Sequence, residues 1–165
     1  MNTAKDIHPL SGAPAPASRG DFEILSKISE ADGCDLDILV RLLDPDAKFD
    51  IAAVQSAIDD GTATIIIQRL NGHIVASAAI ARFTTPTGTH HRIEDVIVDT
   101  KLRGQGTGRR LMEYMLEHLR LSGARSVELT SRPSRVAANA LYRSLDFKPR
   151  ETNVYEYRFK SQDGN

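Results

Sequence analysis

Residues 98–110 read Val-Asp-Thr-Lys-Leu-Arg-Gly-Gln-Gly-Thr-Gly-Arg-Arg, and this stretch decides the fold. Gly104, Gly106 and Gly108 stand at alternate positions, after an apolar strand pattern and before a helical one. Because glycine lacks a Cβ, the backbone can turn tightly here and let several N–H groups converge. The positive end of the helix dipole points at the same place. The segment therefore predicts a loop that binds an anion such as a pyrophosphate.

Two common phosphate-binding loops do not match this pattern. A mononucleotide loop needs Gly-Lys followed by Ser or Thr at the helix start, but here Gly108 is followed by Arg109 and Arg110. A dinucleotide-binding fold places its glycines after the first strand, with an acid about twenty residues later that reaches a ribose. Glu128 stands at that distance but falls within a predicted strand. ATP hydrolysis and dinucleotide binding are both disfavoured.

An antiparallel meander is predicted upstream of the glycine loop. Residues 62–70 are rich in β-branched side chains, and Asn71-Gly72 separates them from a second such run at 73–83, which together form a strong hairpin signal. The turn-rich tract 84–89 leads to a third strand at 90–99. Before the meander, the pattern predicts one strand and two short helices: 22–26, about 36–43 and 51–58.

Helices and strands alternate downstream of the loop. Apolar spacing predicts a helix over 107–122 ending at Gly123, a strand over 127–130, a helix from about Pro133 and a closing strand over 154–159. Such alternation produces parallel strands. We therefore expect an α/β (α+β) fold whose mixed sheet has about six to seven strands, antiparallel in its N-terminal half and partly parallel in its C-terminal half, with about four flanking helices.

Composition sets the class of protein. The 165 residues include 21 Lys and Arg against 22 Asp and Glu, so a dedicated nucleic-acid binder is disfavoured. No apolar run approaches the roughly 18 residues that span a bilayer, and Cys34 stands alone, so we expect a cytoplasmic protein without a membrane partner or a cysteine metal cluster. We predict a disordered arm over 1–20, one folded domain over 21–160 and a flexible tail over 161–165.

Two motifs resemble a known family. Arg103-x-x-Gly106-x-Gly108, after an apolar strand, is similar to the acyl-CoA signature of the GNAT (GCN5-related N-acetyltransferase) family. The segment Ala137–Phe147 resembles the second signature of that family, a helix that carries a tyrosine and ends in Gly-Phe. Asp146 replaces the glycine here, so we expect a strained left-handed residue at this position.

The resemblance implies a GNAT fold and acetyl-CoA as co-substrate, without a metal. The cofactor would lie in a cleft where the central strand parts from its parallel neighbour, with its pantetheine arm paired to the main chain like an added strand. A main-chain N–H near Ile97 or Val98 would stabilise the oxyanion. The expected cofactor-binding residues are Val96, Ile97, Val98, Arg103, Gly104, Gln105, Gly106, Thr107, Gly108, Arg109 and Asn139.

Direct transfer to an amine requires a base and an acid. An alkyl amine with a pKa near 10.4 is about one part in a thousand neutral at pH 7, so the site must remove a proton. Glu94 is the expected base, and strand alternation turns it away from Asp95 unless a bulge exchanges the two. His90 and His91 are alternative bases. Tyr142 is expected to protonate the leaving thiolate.

The acceptor is predicted from charge. Nine acids and two bases lie between Glu30 and Asp60, which favours a cationic small-molecule amine such as an amino sugar, a polyamine or an aminoglycoside. The segment His91–Val96 also resembles the central strand of glucosamine-phosphate acetyltransferases, whose acceptor carries a phosphate. Acetylation of a protein lysine or N-terminus, a CoA-binding module without turnover and a homodimer stay open. RNA binding at the basic loop is disfavoured, because residues 101–110 contain no aromatic side chains on which bases could stack.

Overall fold

The computed structural model describes residues 21–159, which form five strands and four α-helices. The elements follow in the order β1 (Phe22–Leu25), α1 (Glu30–Val40), α2 (Ile51–Asp59), β2 (Ala63–Leu70), β3 (His73–Thr85), β4 (Gly88–Val98), a 3-10 turn (Thr100–Leu102), α3 (Thr107–Leu121), β5 (Glu128–Leu129) and α4 (Val136–Ser144). The chain divides after Thr130 into two compact units. The arm predicted over 1–20 and the tail predicted over 161–165 lie outside the described residues.

The first unit contains the whole sheet, in the order β1-β2-β3-β4-β5. β1 to β4 pair antiparallel, and β5 pairs parallel with β4. The predicted mixed sheet is confirmed, but it has five strands rather than six to seven. Asn71 and Gly72 form the predicted turn, both with positive φ of 52° and 83°. The tract 84–89 is mostly strand rather than turn, because β3 extends to Thr85 and β4 begins at Gly88.

The predicted closing strand over 154–159 is wrong. Its alternating side chains are 78% to 88% exposed at the large apolar positions, and the segment has no regular secondary structure. A strand requires a ladder of backbone hydrogen bonds with a neighbour. Among its described residues, the second unit contains α4 but no strand with which this segment could pair. An alternating sequence pattern therefore did not suffice to form a strand.

α1 begins six residues earlier than predicted. Ser29 caps it: the Ser29 hydroxyl accepts the Asp32 N–H at 3.1 Å, and the Asp32 carboxylate accepts the Ser29 N–H at 3.1 Å. This reciprocal capping box satisfies two backbone donors at the start of the helix. Arg69 also donates to Asp32 at 2.6 Å, which ties the start of α1 to β2. The apolar period alone did not reveal this start, because residues 30–35 are mainly polar.

Two apolar layers cover the sheet. α1 and α2 pack on one face, where Leu36 and Leu39 join Ile65, Ile67 and Ile97 in a buried core. α3 packs on the other face through residues that are almost fully buried, namely Leu111, Met112, Met115 and Leu119. Within residues 21–159, no helix has the length and hydrophobicity required to cross a bilayer.

Candidate active site

β4 is interrupted by a β-bulge. Ile97 pairs with Ser77 and Glu94 pairs with Ala79, so Asp95 and Val96 both oppose the single residue Ala78. Asp95 has a positive φ of 49°. An extra residue in one strand bends that strand and reverses which side chains face each side from that point. The bulge therefore changes which residues of β4 can share a site.

Glu94 and Ile97 lie on the same face of the sheet as a result. Glu94 is paired with Ala79, which packs against the core beneath α1 and α2, and Ile97 belongs to that core. Paired residues in a sheet project to the same face. In an uninterrupted strand, positions 94 and 97 would project to opposite faces. Glu94 thus projects toward the face that α1 and α2 cover.

β5 separates from β4 immediately before the bulge. The parallel ladder consists of Arg92 with Glu128 and Ile93 with Leu129. Beyond Ile93, the edge of β4 that faces β5 has no strand partner among residues 21–130, the described part of the first unit. An open edge of this kind presents backbone N–H and C=O groups to an extended ligand. Residues 94–98 therefore combine an open strand edge with the candidate base.

The glycine loop follows at the end of β4. Gly104 and Gly106 have φ of 75° and 78°, a backbone conformation that non-glycine residues rarely adopt. A Cβ at Gly104 would meet no atom within 4 Å, so the space beside this backbone is open. Gly106 is the N-cap of α3 and provides no side-chain cap. The first N–H groups of α3 consequently have no acceptor in the helix, as an anion site requires.

Side chains of the loop hold its shape. Gln105 donates to the Lys101 carbonyl at 2.9 Å, and Arg103 Nε donates to the Val98 carbonyl at 3.3 Å. The Arg110 guanidinium donates to the Gln105 carbonyl and to the Thr107 hydroxyl, both at 3.3 Å. Arg110 thus stabilises the conformation of the loop.

A second arginine at this helix start pairs with a carboxylate. Arg109 Nη1 lies 3.4 Å from Glu113 Oε1, one helical turn away. Both side chains are about half exposed. Exposed ion pairs at this spacing contribute little to stability.

Glu94 forms an ion pair with Arg92, with 2.9 Å between Glu94 Oε1 and Arg92 Nε. The Glu94 side chain is 41% exposed, so solvent and small molecules can reach its carboxylate. Arg92 and Glu94 are two residues apart on one strand and project to the same face. The sequence did not single out Arg92, although its position two residues before the candidate base was a usable signal.

The two histidines of β4 lie elsewhere. His90 stacks on Phe83 with ring centroids 5.3 Å apart, and its Nε2 lies 3.0 Å from the Thr85 hydroxyl at the β3–β4 turn. His91 pairs with Arg82 and therefore lies on the α3 face, opposite to Glu94. Neither position adjoins the bulge.

Tyr142 lies on α4 in the second unit. Its side chain is half-buried, and its ring centroid lies 6.0 Å from that of Phe147. Burial raises the pKa of the Tyr142 phenol, while the charge of Arg135 lowers it in part. The phenol is therefore protonated at neutral pH and can donate a hydrogen bond or a proton.

The other family-motif residues of the second unit have local contacts. Asn139 Nδ2 donates to the carbonyls of Arg132 and Arg135 at 2.9 and 3.0 Å, so this amide fixes the entry to α4. Asp146 has a φ of 64°, the left-handed conformation that was predicted for this position. The backbone bends at Asp146 after the end of α4, and aspartate tolerates the strain of this left-handed conformation better than most residues do.

The acidic segment around α1 and α2 is partly used for structure. Asp50 caps α2 by accepting the Ala53 N–H at 3.0 Å, and Asp35 accepts the Ile74 N–H at 2.9 Å. Asp32 and Asp37 are paired with Arg69 and Arg41. Hydrogen bonds to neutral N–H groups do not remove charge, so Asp35 and Asp50 still contribute a negative potential on this face.

Comparisons with known proteins agree with this geometry. The sequence profile of the acetyltransferase (GNAT) family matches residues 36–147. The chain is 29% identical over 89 residues to a glucosamine 6-phosphate N-acetyltransferase of Arabidopsis thaliana, across 51% of this chain and 60% of that protein. It is 34% identical over 70 residues to a ribosomal protein bS18-alanine N-acetyltransferase of Escherichia coli K12, across 42% of this chain and 46% of that protein. The chain thus spans about half the length of these relatives.

Solved structures share the fold. An acetyltransferase of Trypanosoma brucei superposes with a TM-score of 0.69 at 23% identity, covering 84% of this chain and 99% of that one. An aminoglycoside acetyltransferase from an uncultured soil metagenomic sample superposes with a TM-score of 0.71 at 20% identity, covering 87% and 97%. Together with the profile match, which covers well over half of the sequence, these likenesses show that the chain belongs to the acetyltransferase (GNAT) family.

Proposed function

We propose that this chain is an N-acetyltransferase that transfers the acetyl group of acetyl-CoA directly to a primary amine. The observation that carries the proposal is the succession along β4 of a reachable carboxylate, an open strand edge and an uncapped glycine loop. These three features provide, in order, a base, a surface for an extended amide chain and an anion site.

The residues present fit coenzyme A. The open space beside Gly104 and the uncapped start of α3 suit a pyrophosphate, because converging N–H groups can donate to its oxygens. Arg103 and Arg109 add positive charge at that site. The backbone of Val96, Ile97 and Val98 would pair with the amides of the pantetheine arm at the open edge of β4. Gln105, Thr107 and Gly108 complete the loop, and Asn139 is the contact proposed from α4.

When bound, acetyl-CoA supplies an acetyl group already activated as a thioester. Glu94 accepts the proton that the acceptor ammonium must lose, because a carboxylate that the acceptor can reach can act as a general base. The ion pair between Glu94 and Arg92 is weak, because both side chains are more than a third exposed, so Glu94 can leave Arg92 to accept the proton. Tyr142, protonated at neutral pH because burial raises the pKa of its phenol, donates a proton to the leaving thiolate.

A small amine is the proposed acceptor class. The negative potential from the acids between Glu30 and Asp60 favours cations, as in amino sugars, polyamines and aminoglycosides. Two similar proteins are named for such acceptors, the glucosamine 6-phosphate N-acetyltransferase of Arabidopsis and the aminoglycoside acetyltransferase from soil. This support is independent of the charge argument.

The second candidate acceptor is the N-terminal amine of a protein. The likeness to the ribosomal protein-alanine N-acetyltransferase of Escherichia coli supports it, with 34% identity over 70 residues. A small amine and a protein N-terminus present the same nucleophile to Glu94 but differ in size. The acceptor assay therefore has to include both.

Release of free CoA thiol from acetyl-CoA tests the proposal. The panel contains glucosamine 6-phosphate, spermidine, an aminoglycoside and a short peptide with N-terminal alanine. We expect at least one small amine to accelerate thiol release at least tenfold over the amine-free rate. The Glu94→Gln protein is the matched control for the chemical step. Binding of acetyl-CoA with no acceleration by any amine would instead favour a CoA-binding module without turnover.

A further inference from the structure

A cavity lies on the sheet face that α3 covers, opposite to the face of Glu94. It has a volume of about 430 Å³ and is formed by the outer ends of β2, β3 and β4 together with the C-terminal end of α3. All of its lining residues belong to the first unit. Glu94 projects to the opposite face of the same sheet, and the glycine loop lies at the other end of α3, about 20 Å away for a helix of this length. The cavity is therefore separate from the candidate active site.

Its polar lining is rich in groups that can carry positive charge. Arg82 and His91 are cross-strand partners on β3 and β4, and His118 reaches the cavity from α3. None of the lining residues is an aspartate or a glutamate. In the part of the chain that the structure describes, no carboxylate forms an ion pair with Arg82 or His118. Arg82 is exposed, so an anion from solution can reach its guanidinium.

The end of α3 does not oppose an anion strongly. Helix C-termini are normally negative because their last carbonyls have no partner. Here Gly123 N–H donates to the Arg120 carbonyl at 3.1 Å and Ala124 N–H to the Leu119 carbonyl at 3.0 Å. The Ser122 hydroxyl also donates to the Leu119 carbonyl at 2.8 Å. These bonds form the common glycine-terminated cap and satisfy the carbonyls that would otherwise repel an anion.

The floor of the cavity is apolar. Ile80 and Leu119 line it from the sheet and from the helix, and both are almost fully buried. A cavity of this size with an apolar floor and a few convergent polar groups is typical of sites for small organic molecules.

His91 is partly buried and lies near groups that carry or can carry positive charge. Burial lowers the pKa of His91 most, and the charges of Arg82 and His90 lower it further. From α3, His118 is the titratable group that lines the same cavity. An anion beside these groups would favour the protonated form of His91 and raise its pKa.

We propose that this cavity is a second binding site, which takes a small organic anion. Its carboxylate or phosphate group pairs with Arg82 and the adjacent histidines, and its apolar body rests on Ile80 and Leu119. Binding to such a site is coupled to proton uptake, so affinity increases as the pH falls.

Titration of the full chain, followed by NMR of the histidine rings, tests the proposal. The probes are phenyl phosphate, benzoate and the neutral benzamide. We expect at least one anion to shift His91 and His118 saturably and to raise the pKa of His91, while benzamide does neither. Benzoate alone, phenyl phosphate alone or both would identify the acid group that the site accepts.

Substitutions locate the binding. Arg82→Gln should weaken binding of the effective anion at least tenfold, whereas Arg120→Gln should leave it unchanged. Arg120→Gln removes one positive charge, as Arg82→Gln does, near the C-terminal end of α3. Arg120 pairs with Glu117, however, and does not line the cavity. The proposal is overturned if the unmodified protein shows no saturable histidine shift, if benzamide binds as well as the anions, or if Arg82→Gln binds like the unmodified protein. Each readout is a binding measurement and is independent of acetyl transfer.

Discussion

Glu94 and Ile97 share one face of β4, although they are three positions apart and an uninterrupted strand would turn them to opposite faces. The extra residue of the bulge, at Asp95 and Val96, accounts for this. Ile93 before the bulge can pack beneath α3, while Ile97 after it packs beneath α1. Glu94 lies four residues before Val98, where β4 ends, which is about 13 Å at the rise of a regular strand.

Replacing Glu94 by glutamine removes the proposed base and preserves its shape. The acceptor amine must then lose its proton to solvent, so activity should depend on the neutral amine present. We expect kcat/KM to fall at neutral pH and to rise about tenfold per pH unit toward the amine pKa near 10.4. A pH–rate profile of the unmodified protein and Glu94→Gln measures this.

Glu117→Gln is the matched control for that experiment. Glu117 is an exposed carboxylate on α3 that pairs with Arg120 and lies outside the candidate site. Its profile should coincide with that of the unmodified protein. If Glu94→Gln also shows an unchanged profile, Glu94 is not the base.

The hairpin and the glycine loop were predictable because their signals are local. Asn71-Gly72 requires positive φ at consecutive residues, and Gly123 ends α3 with a φ of 77°, as its position predicts. The sequence showed what a bulge near Asp95 would change but not whether one forms, because the bulge depends on how β4 pairs with Ser77 and Ala79 of β3. No local pattern specifies that register.

Non-local pairing also explains the other errors. The segment 154–159 alternates well but has no strand partner among the described residues of its unit. The cavity beside His91 needs Arg82 and His118 to meet from three elements, which no sequence spacing reveals. Charge counting likewise treated the acids of α1 as free, whereas Asp32 is a buried partner of Arg69.

Gly106→Ala tests the anion site of the loop. Alanine at a φ of 78° is strained by about 1–2 kcal/mol, and its Cβ would stand at the uncapped start of α3. Its nearest neighbour there would be Arg110 Nη1 at 3.6 Å, an ordinary contact, so the fold should survive. We expect the Kd for acetyl-CoA, measured by calorimetry, to increase at least tenfold.

Gly61→Ala separates strain from binding. Gly61 has a φ of 67° and open space around it, far along the chain from the loop. Both substitutions should lower the free energy of unfolding by a similar amount, and only Gly106→Ala should weaken acetyl-CoA binding. Equal affinities for the two variants would contradict a role of the glycine loop in holding the diphosphate.

Tyr142→Phe removes the proposed acid and keeps the ring that packs near Phe147. We expect kcat to fall at least tenfold with the KM for acetyl-CoA within about twofold, because the hydroxyl acts on the departing thiolate. Since burial raises the pKa of the phenol, activity that depends on it should persist through neutral and mildly alkaline pH. Tyr114→Phe, on α3 beside Phe22, is the control and should retain full activity. Comparable losses in kcat and in acetyl-CoA affinity would argue against the acid role.

Asp32→Asn tests the ion pair that anchors α1. Burial alone would raise the pKa of Asp32, but hydrogen bonds from Arg69 and Ser29 outweigh it and lower the pKa below the usual 3.8. A carboxylate whose pKa is lowered on folding stabilises the fold fully above its unfolded pKa and loses that contribution as the pH falls through its folded pKa.

We expect Asp32→Asn to cost about 1–2 kcal/mol of unfolding free energy at pH 7, because the charge-assisted bonds are lost. That difference should begin to shrink as the pH falls below the usual pKa of 3.8, at which the unfolded side chain takes up a proton, and should disappear once the pH is below the lowered pKa of the folded side chain. Glu30→Gln, an exposed carboxylate in the same helical turn, should change stability by less than about 0.5 kcal/mol. Urea unfolding of the three proteins across this pH range measures both differences, and a cost for Asp32→Asn that does not vary with pH would refute the assignment of the stability to the ionised pair.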